Sequence, residues 1–224
     1  MQREYTYGVA FILEGATEKY FYQELLKYYC SIHPDTSFMK NENAENGEVS
    51  YCLCKGERKV LIKFNVVGTI SQVVNSGDWF INKCLQQHKG INWTAFLCYD
   101  TDDYSPNISK FYEGDWKELR KKLSKGGRSS IVDIAAKADI EDIMLLDLDG
   151  VFRYVGIAPC PLPSGGKGKS RMKKIFRMKG PGSAYHEGER ALPLIQALDF
   201  KKIISLSALP LNTIESICFI PLCQ

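Results

Sequence analysis

Five apolar residues, Val9, Ala10, Phe11, Ile12 and Leu13, run straight into Glu14 and Gly15, and a helical pattern opens immediately behind them. A run this short, bounded by a turn signal, reads as the buried strand of a βα unit, and nothing else in the chain restricts the fold as strongly. A sheet built from such units presents its chemistry at the carboxyl ends of its strands, where Glu14 stands. Gly15 lets the backbone turn sharply, and Thr17 is the expected cap of the new helix. Phe21, Leu25, Leu26 and Tyr29 recur at helical spacing, so the helix is expected over residues 17–30, packed on the sheet.

The same design returns at Trp93, Thr94, Ala95, Phe96, Leu97, Cys98 and Tyr99, which lead into Asp100, Asp102 and Asp103. In an extended chain residues i and i+2 point the same way, so Asp100 and Asp102 are expected to project together. Two carboxylates held that close repel each other unless a cation lies between them, and Mg²⁺ or Mn²⁺ meets that need. On neighbouring strands Glu14, Asp100 and Asp102 would form a three-carboxylate cluster. Between the two strands, residues 40–48 read as a polar loop and 59–68 as a strand. A helix over 69–88 follows, kinked or broken at Gly77. Strand and helix alternate, which predicts an α/β fold with a parallel sheet flanked by helices.

A strand ending in Glu14-Gly15 before a helix, followed by a later strand ending in Asp100-x-Asp102, resembles the Toprim domains of topoisomerases, primases and a group of nucleases. The run from Glu14 to Phe21 is closest to the stand-alone nuclease branch, with its overcoming-lysogenisation-defect nucleases and phage-defence relatives. The resemblance spans residues 7–155 and implies a Toprim-like catalytic domain over residues 1–155, with a basic, mainly helical C-terminal extension over 156–224. It implies a Mg²⁺- or Mn²⁺-dependent nuclease acting on DNA or RNA. In that scheme Asp100 and Asp102 hold the metal and Glu14 serves as ligand or general base. Glu18, one helical turn beyond Glu14, can complete the metal shell. A further acid after the Asp-x-Asp strand is expected to help hold a second metal, and Glu141 or Asp142 is the candidate. A defence or toxin role beside an ATPase partner also follows from the resemblance alone.

The residues beyond Asp103 supply basic surface and two misleading motifs. Trp116, Leu119 and Leu123 mark a helix over 108–124 with a crowd of Lys and Arg, which a solvated face also explains. A strand is expected up to residue 135 and a helix from about residue 139, with Glu141 and Asp142 in its first turn, a position that favours carboxylates on structural grounds too. Residues 145–151 copy the apolar strand and Asp147-x-Asp149-Gly150 of haloacid-dehalogenase-type phosphatases, but no set of βα units follows, and both acids read as helix-end residues. Gly168-Lys169-Ser170 matches the end of a phosphate-binding loop, yet Pro163 occupies the leading glycine position and Pro159, Pro161 and Pro163 exclude a preceding strand. What remains is a glycine loop and seven basic side chains without an acid: Lys167, Lys169, Arg171, Lys173, Lys174, Arg177 and Lys179. Together with Lys19 they form the expected phosphate-contacting surface, and Lys167 or Lys169 is the candidate to meet a non-bridging phosphate oxygen. A solubilising loop is the alternative.

Composition narrows the class without choosing among these readings. The 224 residues, 45% hydrophobic and 25% charged, suffice for one domain with an elaboration, and a net charge of +3 carries no argument. No apolar run approaches the roughly 20 residues of a membrane span, so a cytoplasmic protein is expected, with no membrane partner and a homo-oligomer left open. Eight cysteines, mostly in apolar segments, suit reduced thiols, and the close pair Cys52 and Cys54 lacks a second pair at zinc spacing. His186 is a proton-donor candidate or an incidental surface residue. The apolar end, 214–223, either packs back on the core or meets a partner. A non-catalytic nucleic-acid-binding protein is the competing class, and primase-like nucleotidyl transfer a third option without a visible template-binding domain.

Overall fold

The fold was analysed in a computed structural model that describes residues 5–43, 48–101, 113–125, 127, 129–136 and 139–219. Among these, six strands form one sheet: β1 (Tyr7–Leu13), β2 (Thr36–Asn43), β3 (Glu48–Lys55), β4 (Arg58–Val66), β5 (Asn92–Asp100) and β6 (Ser129–Ala136), in the spatial order β2-β3-β4-β1-β5-β6. β1 pairs in parallel with both β4 and β5, and β5 in parallel with β6. The expected parallel α/β sheet therefore stands at its centre, with an antiparallel hairpin, β2 and β3, added on one side. Of the polar stretch 40–48 expected to be a loop, residues 40–43 and 48 belong to the strands of that hairpin, and 44–47 lie outside the described residues. An edge strand buries one face only and carries charge on the other, so its sequence lacks the continuous apolar run that marks β1.

The face served alternates along the buried central strands, as the pleat requires. Val9, Phe11, Leu13, Phe96, Cys98 and Ile134 face one core, and Ala10, Ile12, Ala95 and Leu97 face the other. The first core is closed by α1 (Ala16–Ile32) and by the C-terminal helices α5 (Ile140–Met144), α6 (Leu148–Val155), α7 (Gly168–Met178), α8 (Leu192–Gln196), α9 (Phe200–Leu206) and α10 (Leu211–Phe219). The second is closed by α2 (Ile70–Val73), α3 (Ser76–Phe80), a π-turn (Ile81–Leu85) and α4 (Glu113–Leu123). Of the apolar end expected over 214–223, Ile214, Cys218 and Phe219 pack back, buried in the first core with Leu211, while 220–223 lie outside the described residues. The C-terminal segment thus completes the same core as β1 and α1.

Local differences from the sequence pattern have identifiable causes. The helix expected over 69–88 is broken into three short pieces. The break between α2 and α3 falls at Val74 and Asn75 and not at Gly77, which lies inside α3; a β-carbon there would stand 2.6 Å from the Lys122 side chain, so glycine lets α4 lie close to α3. Buried Lys63 donates to the Lys83 carbonyl at 2.7 Å, satisfying a backbone acceptor of the π-turn with a cation. Residues 145–151 are helical, as the helix-end reading of their acids requires. Asp147, 2% exposed, caps α6 by accepting from the Gly150 amide, accepts from the Asp199 amide at 2.8 Å and pairs with Lys202. No helix among the described residues is long and apolar enough to cross a membrane.

One contact fixes the seam between β1 and β5. Gly8 lies opposite Trp93, whose indole is buried, and a β-carbon on residue 8 would stand 2.5 and 2.6 Å from Trp93 Cε2 and Cε3. Gly8→Ala is expected to lower unfolding free energy by about 1–3 kcal/mol, the usual cost of overpacking a closed core. Urea unfolding followed by tryptophan fluorescence measures it. An unchanged midpoint would mean that the indole has room to move.

Candidate active site

The parallel register delivers two acids to one place. Leu13 lies opposite both Val66 and Cys98, so Glu14 leaves the sheet level with the end of β5, where Asp100 is the last strand residue. The Glu14 carbonyl accepts from the Gly68 amide at 2.8 Å, and the Thr101 amide donates to the Ala136 carbonyl at 2.8 Å, so both strand exits stay tied to their neighbours. Asp100 follows Phe96 and Cys98 at the strand period and so projects to the α1 side of the sheet. Asp102 lies outside the described residues.

Helix α1 adds the third acid. Gly15, rather than Thr17, is its N-cap, and Glu18 folds back so that its Oε2 accepts from the Gly15 amide at 2.5 Å. Thr17 Oγ1 instead accepts from the Gly188 amide at 2.8 Å, tying the C-terminal segment to the start of α1. The fourth acid, Glu141, comes from α5, whose N-cap Asp139 accepts from the amides of Asp142 and Lys169. Glu14, Glu18, Asp100 and Glu141 line one cleft of about 210 Å³, with Asp139, Lys169 and Glu187 around it.

Their electrostatics are those of acids taken out of water together. Glu18 is 5% exposed, and burial, followed by the charges of Asp100, Glu14 and Glu141, holds its carboxyl well above the usual range. Glu141 is 3% exposed, and burial raises it from 4.5 to about 7 although the Tyr185 hydroxyl donates to its Oε1 at 2.8 Å. Asp139 is raised by burial as well, partly offset by the Lys169 amide. Glu14 Oε2 is buried without a hydrogen-bond partner among the described residues, a costly state for a carboxylate oxygen. Acidic oxygens with this much uncompensated negative charge suit a hard divalent cation. Among the described residues, however, no three His, Cys, Asp or Glu side chains stand at metal-ligand distances.

The basic residues divide differently from their sequence clustering. Lys169 lines the cleft, but its ammonium pairs with Glu187 at 2.6 Å, and both side chains are more than 40% exposed. That cation sits at the mouth, beside the buried acids and not among them, and Glu187 raises its pKa. Lys167 is the N-cap of α7. Asp142 does not line the cleft: one residue along a helix rotates a side chain by about 100°, and Asp142 pairs with Arg171 at 2.9 Å. That pair, 17% exposed on each side, also takes Arg171 out of the phosphate-contacting set. Lys174 donates to the Ser164 carbonyl, whereas Lys173, Arg177 and Lys179 are exposed on α7 and its end. Lys19 belongs to a neighbouring groove along α1. His186 is exposed, consistent with an incidental surface residue.

Sequence reasoning missed Asp139, Tyr185 and Glu187. Asp139 carried a readable signal, an acid three residues before another acid at a helix start. Tyr185 and Glu187 carried none, since they reach the cleft from a loop after α7. Gly168 sets the neighbouring wall: a β-carbon there would stand 2.6 Å from the Glu141 carbonyl carbon, so glycine lets α7 begin directly against α5.

No protein-family model matches the chain, and no curated protein is similar to it. Among solved structures, a mutant futalosine hydrolase of Helicobacter pylori aligns over 86% of this chain and 84% of its own, with 9% identity and a TM-score of 0.25. A likeness that slight carries no argument about this chain.

The titration of Glu141 has a definite sign. Its folded pKa is raised, so its contribution to stability is fully present below pH 4.5 and is lost as pH rises towards about 7. In EDTA, Glu141→Gln should therefore raise the unfolding free energy at pH 8, by on the order of 3 kcal/mol at most, seen as a higher thermal midpoint, and have little effect at pH 4.5. Added Mg²⁺ should stabilise the wild type at pH 8 more than the variant. A Gln variant less stable than wild type at pH 8 without metal would show that the charged form of Glu141 is compensated.

Proposed function

We propose that this chain is a metal-dependent nuclease that hydrolyses phosphodiester bonds in DNA or RNA with Mg²⁺ or Mn²⁺, as the Toprim-like arrangement of its acids implies. The observation that carries the reading is the convergence of Glu14, Glu18, Asp100 and Glu141 on one cleft, with a carboxylate oxygen of Glu14 buried and unpartnered. Glu14 and Asp100, at adjacent strand ends, would hold the metal, joined by Asp102 from the expected motif. A cation bound there supplies charge stabilisation at the phosphate and a more acidic water.

The chain's own groups account for the remaining tasks. Glu141, with its pKa near neutrality and its Oε1 bound to Tyr185, can take up or release a proton at working pH. Glu18, held by the Gly15 amide and pushed towards its neutral form by burial and by the charges of Asp100 and Glu14, is a carboxyl that a bound cation would ionise. Lys169 at the mouth can leave Glu187 for a non-bridging phosphate oxygen, since an exposed ion pair costs little to break. A role in phage defence or as a toxin beside an ATPase partner belongs to the same reading.

A second reading, a nucleic-acid-binding protein without cleavage, is favoured by one observation: the described acids do not by themselves form a three-ligand metal set. Cleavage of plasmid, single-stranded DNA, tRNA and messenger RNA with Mg²⁺ or Mn²⁺ against EDTA separates the two. Metal-dependent cutting that falls about 10²-fold or more in Glu14→Gln and Asp100→Asn is expected. Binding without cutting would select the second reading, and cutting indifferent to EDTA or to both variants would remove the first.

A further inference from the structure

A second concavity, about 330 Å³, lies beside the acidic cleft, between the outer face of α1 and the β2–β3 hairpin. The two are lined by consecutive parts of the same segments. Thr17 and Glu18 face the cleft, and Lys19 and Tyr20, next in α1, face the groove. Glu187 faces the cleft, and Glu189, two residues on, faces the groove. The start of α1 and the 187–189 turn thus contribute wall to both concavities.

Its lining combines cations with aromatic rings on a fixed support. Lys19, Tyr20 and Lys27 share one face of α1, while Phe38, Lys40 and Tyr51 come from the hairpin. Lys40 lies directly opposite Tyr51 in the strand register, and the Phe38 and Tyr51 rings stack at 5.1 Å, 10° from parallel. The buried Gln23 amide donates to the Tyr51 hydroxyl at 2.7 Å, so the hairpin is fastened to α1 and the groove is preformed. Lys27 and Lys40 are exposed, Tyr20 and Phe38 half-buried, and Glu189 is the acid of the lining. Lys27 also pairs with Glu24 three residues away, a surface contact that competes weakly with a ligand.

Lysines spaced around half-exposed rings suit an occupant that carries negative charge at intervals and flat apolar faces between them. Nucleic acid has both, but only an unpaired strand offers its base faces, because a duplex buries them in its stack. We propose that this groove is the binding track for a single-stranded stretch of nucleic acid entering the acidic cleft, with Lys19, Lys27 and Lys40 meeting phosphates and Tyr20 and Phe38 stacking on bases. The proposal deepens the nuclease reading by naming an unpaired strand as substrate and rests on that reading for the strand's fate, but not for its binding.

The test is fluorescence anisotropy of a labelled single strand of about 12 nucleotides, in EDTA and across a salt series, with a matched duplex alongside. Tyr20→Ala should weaken single-strand binding by about 5- to 100-fold and leave duplex binding much less affected, while Tyr20→Phe stays near wild type. Lys27→Ala/Lys40→Ala should reduce the slope of log K against log salt by about 1.4, two single-strand phosphate contacts. The exposed lysine pair carries the test if Tyr20→Ala is partly unfolded by its thermal midpoint. Wild-type affinity in both sets, equal losses for strand and duplex, or groove binding of an acidic peptide in preference to the strand would each overturn the proposal. Metal-dependent cutting with unchanged KM in the groove variants would remove the groove and leave the nuclease. Groove-dependent strand binding without any cutting would do the reverse.

Discussion

The parallel pairing of β1 with both β4 and β5 is the constraint on which the rest depends. It sets Leu13 level with Val66 and Cys98, so that β1 and β4 end together, β5 runs on two residues to Asp100, and Glu14 emerges beside that strand end. The strand period then decides which face each residue serves, and it places Asp100 on the side of α1 and of the C-terminal helices. A slip of one residue in β5 would turn Asp100 to the opposite layer and bury Ala95 and Leu97 against the wrong helices. Gly8 and Trp93 oppose such a slip, because the indole fits only where the neighbouring strand lacks a side chain.

Bringing acids together in a partly dry cleft is unfavourable, and the surrounding structure is arranged to sustain it. Amide donors from Gly15, Asp142 and Lys169 and a hydroxyl from Tyr185 each satisfy a carboxylate oxygen of Glu18, Asp139 or Glu141. Neutral donors lower the cost of burial without cancelling the charge, so the raised pKa values of Glu18 and Glu141 persist. The C-terminal segment supplies most of this wall. It also completes the core over α1, so folding and the assembly of the cleft are the same event.

What could be read from the chain follows from how each residue is buried. β1, β4, β5 and β6 are inner or parallel strands and spell continuous or nearly continuous apolar runs, so they and the acids at their ends were legible. The hairpin was not, because β2 is an exposed edge strand, with Thr36 and Phe38 half-buried among its described side chains, and β3 buries Tyr51, Cys52 and Leu53 between polar or exposed residues. Glu141 and Asp142 were equivalent in sequence, and only the rotation of α5 against α7 separates a cleft acid from the partner of Arg171. Tyr185 and Glu187 depend on the return of a loop to α1 through the Thr17–Gly188 hydrogen bond, a long-range contact with no periodicity to announce it.

The same distinction changes where a polyanion would be held. A count of charges placed the positive surface on 167–179, yet Lys169 serves Glu187, Arg171 serves Asp142, and Lys174 caps the Ser164 carbonyl. At least three of the seven cations there act on the protein itself, stitching α7 to α5 and to the loops before and after it. Of the groove lysines only Lys19 stood in the expected phosphate-contacting set, and Lys27 and Lys40 were scattered through the sequence without forming a cluster. The fold gathers them beside the buried acids, with aromatic rings between. Positive potential at the entrance and negative charge at the end is an arrangement that draws a phosphate chain in along the first and leaves the second in need of a cation.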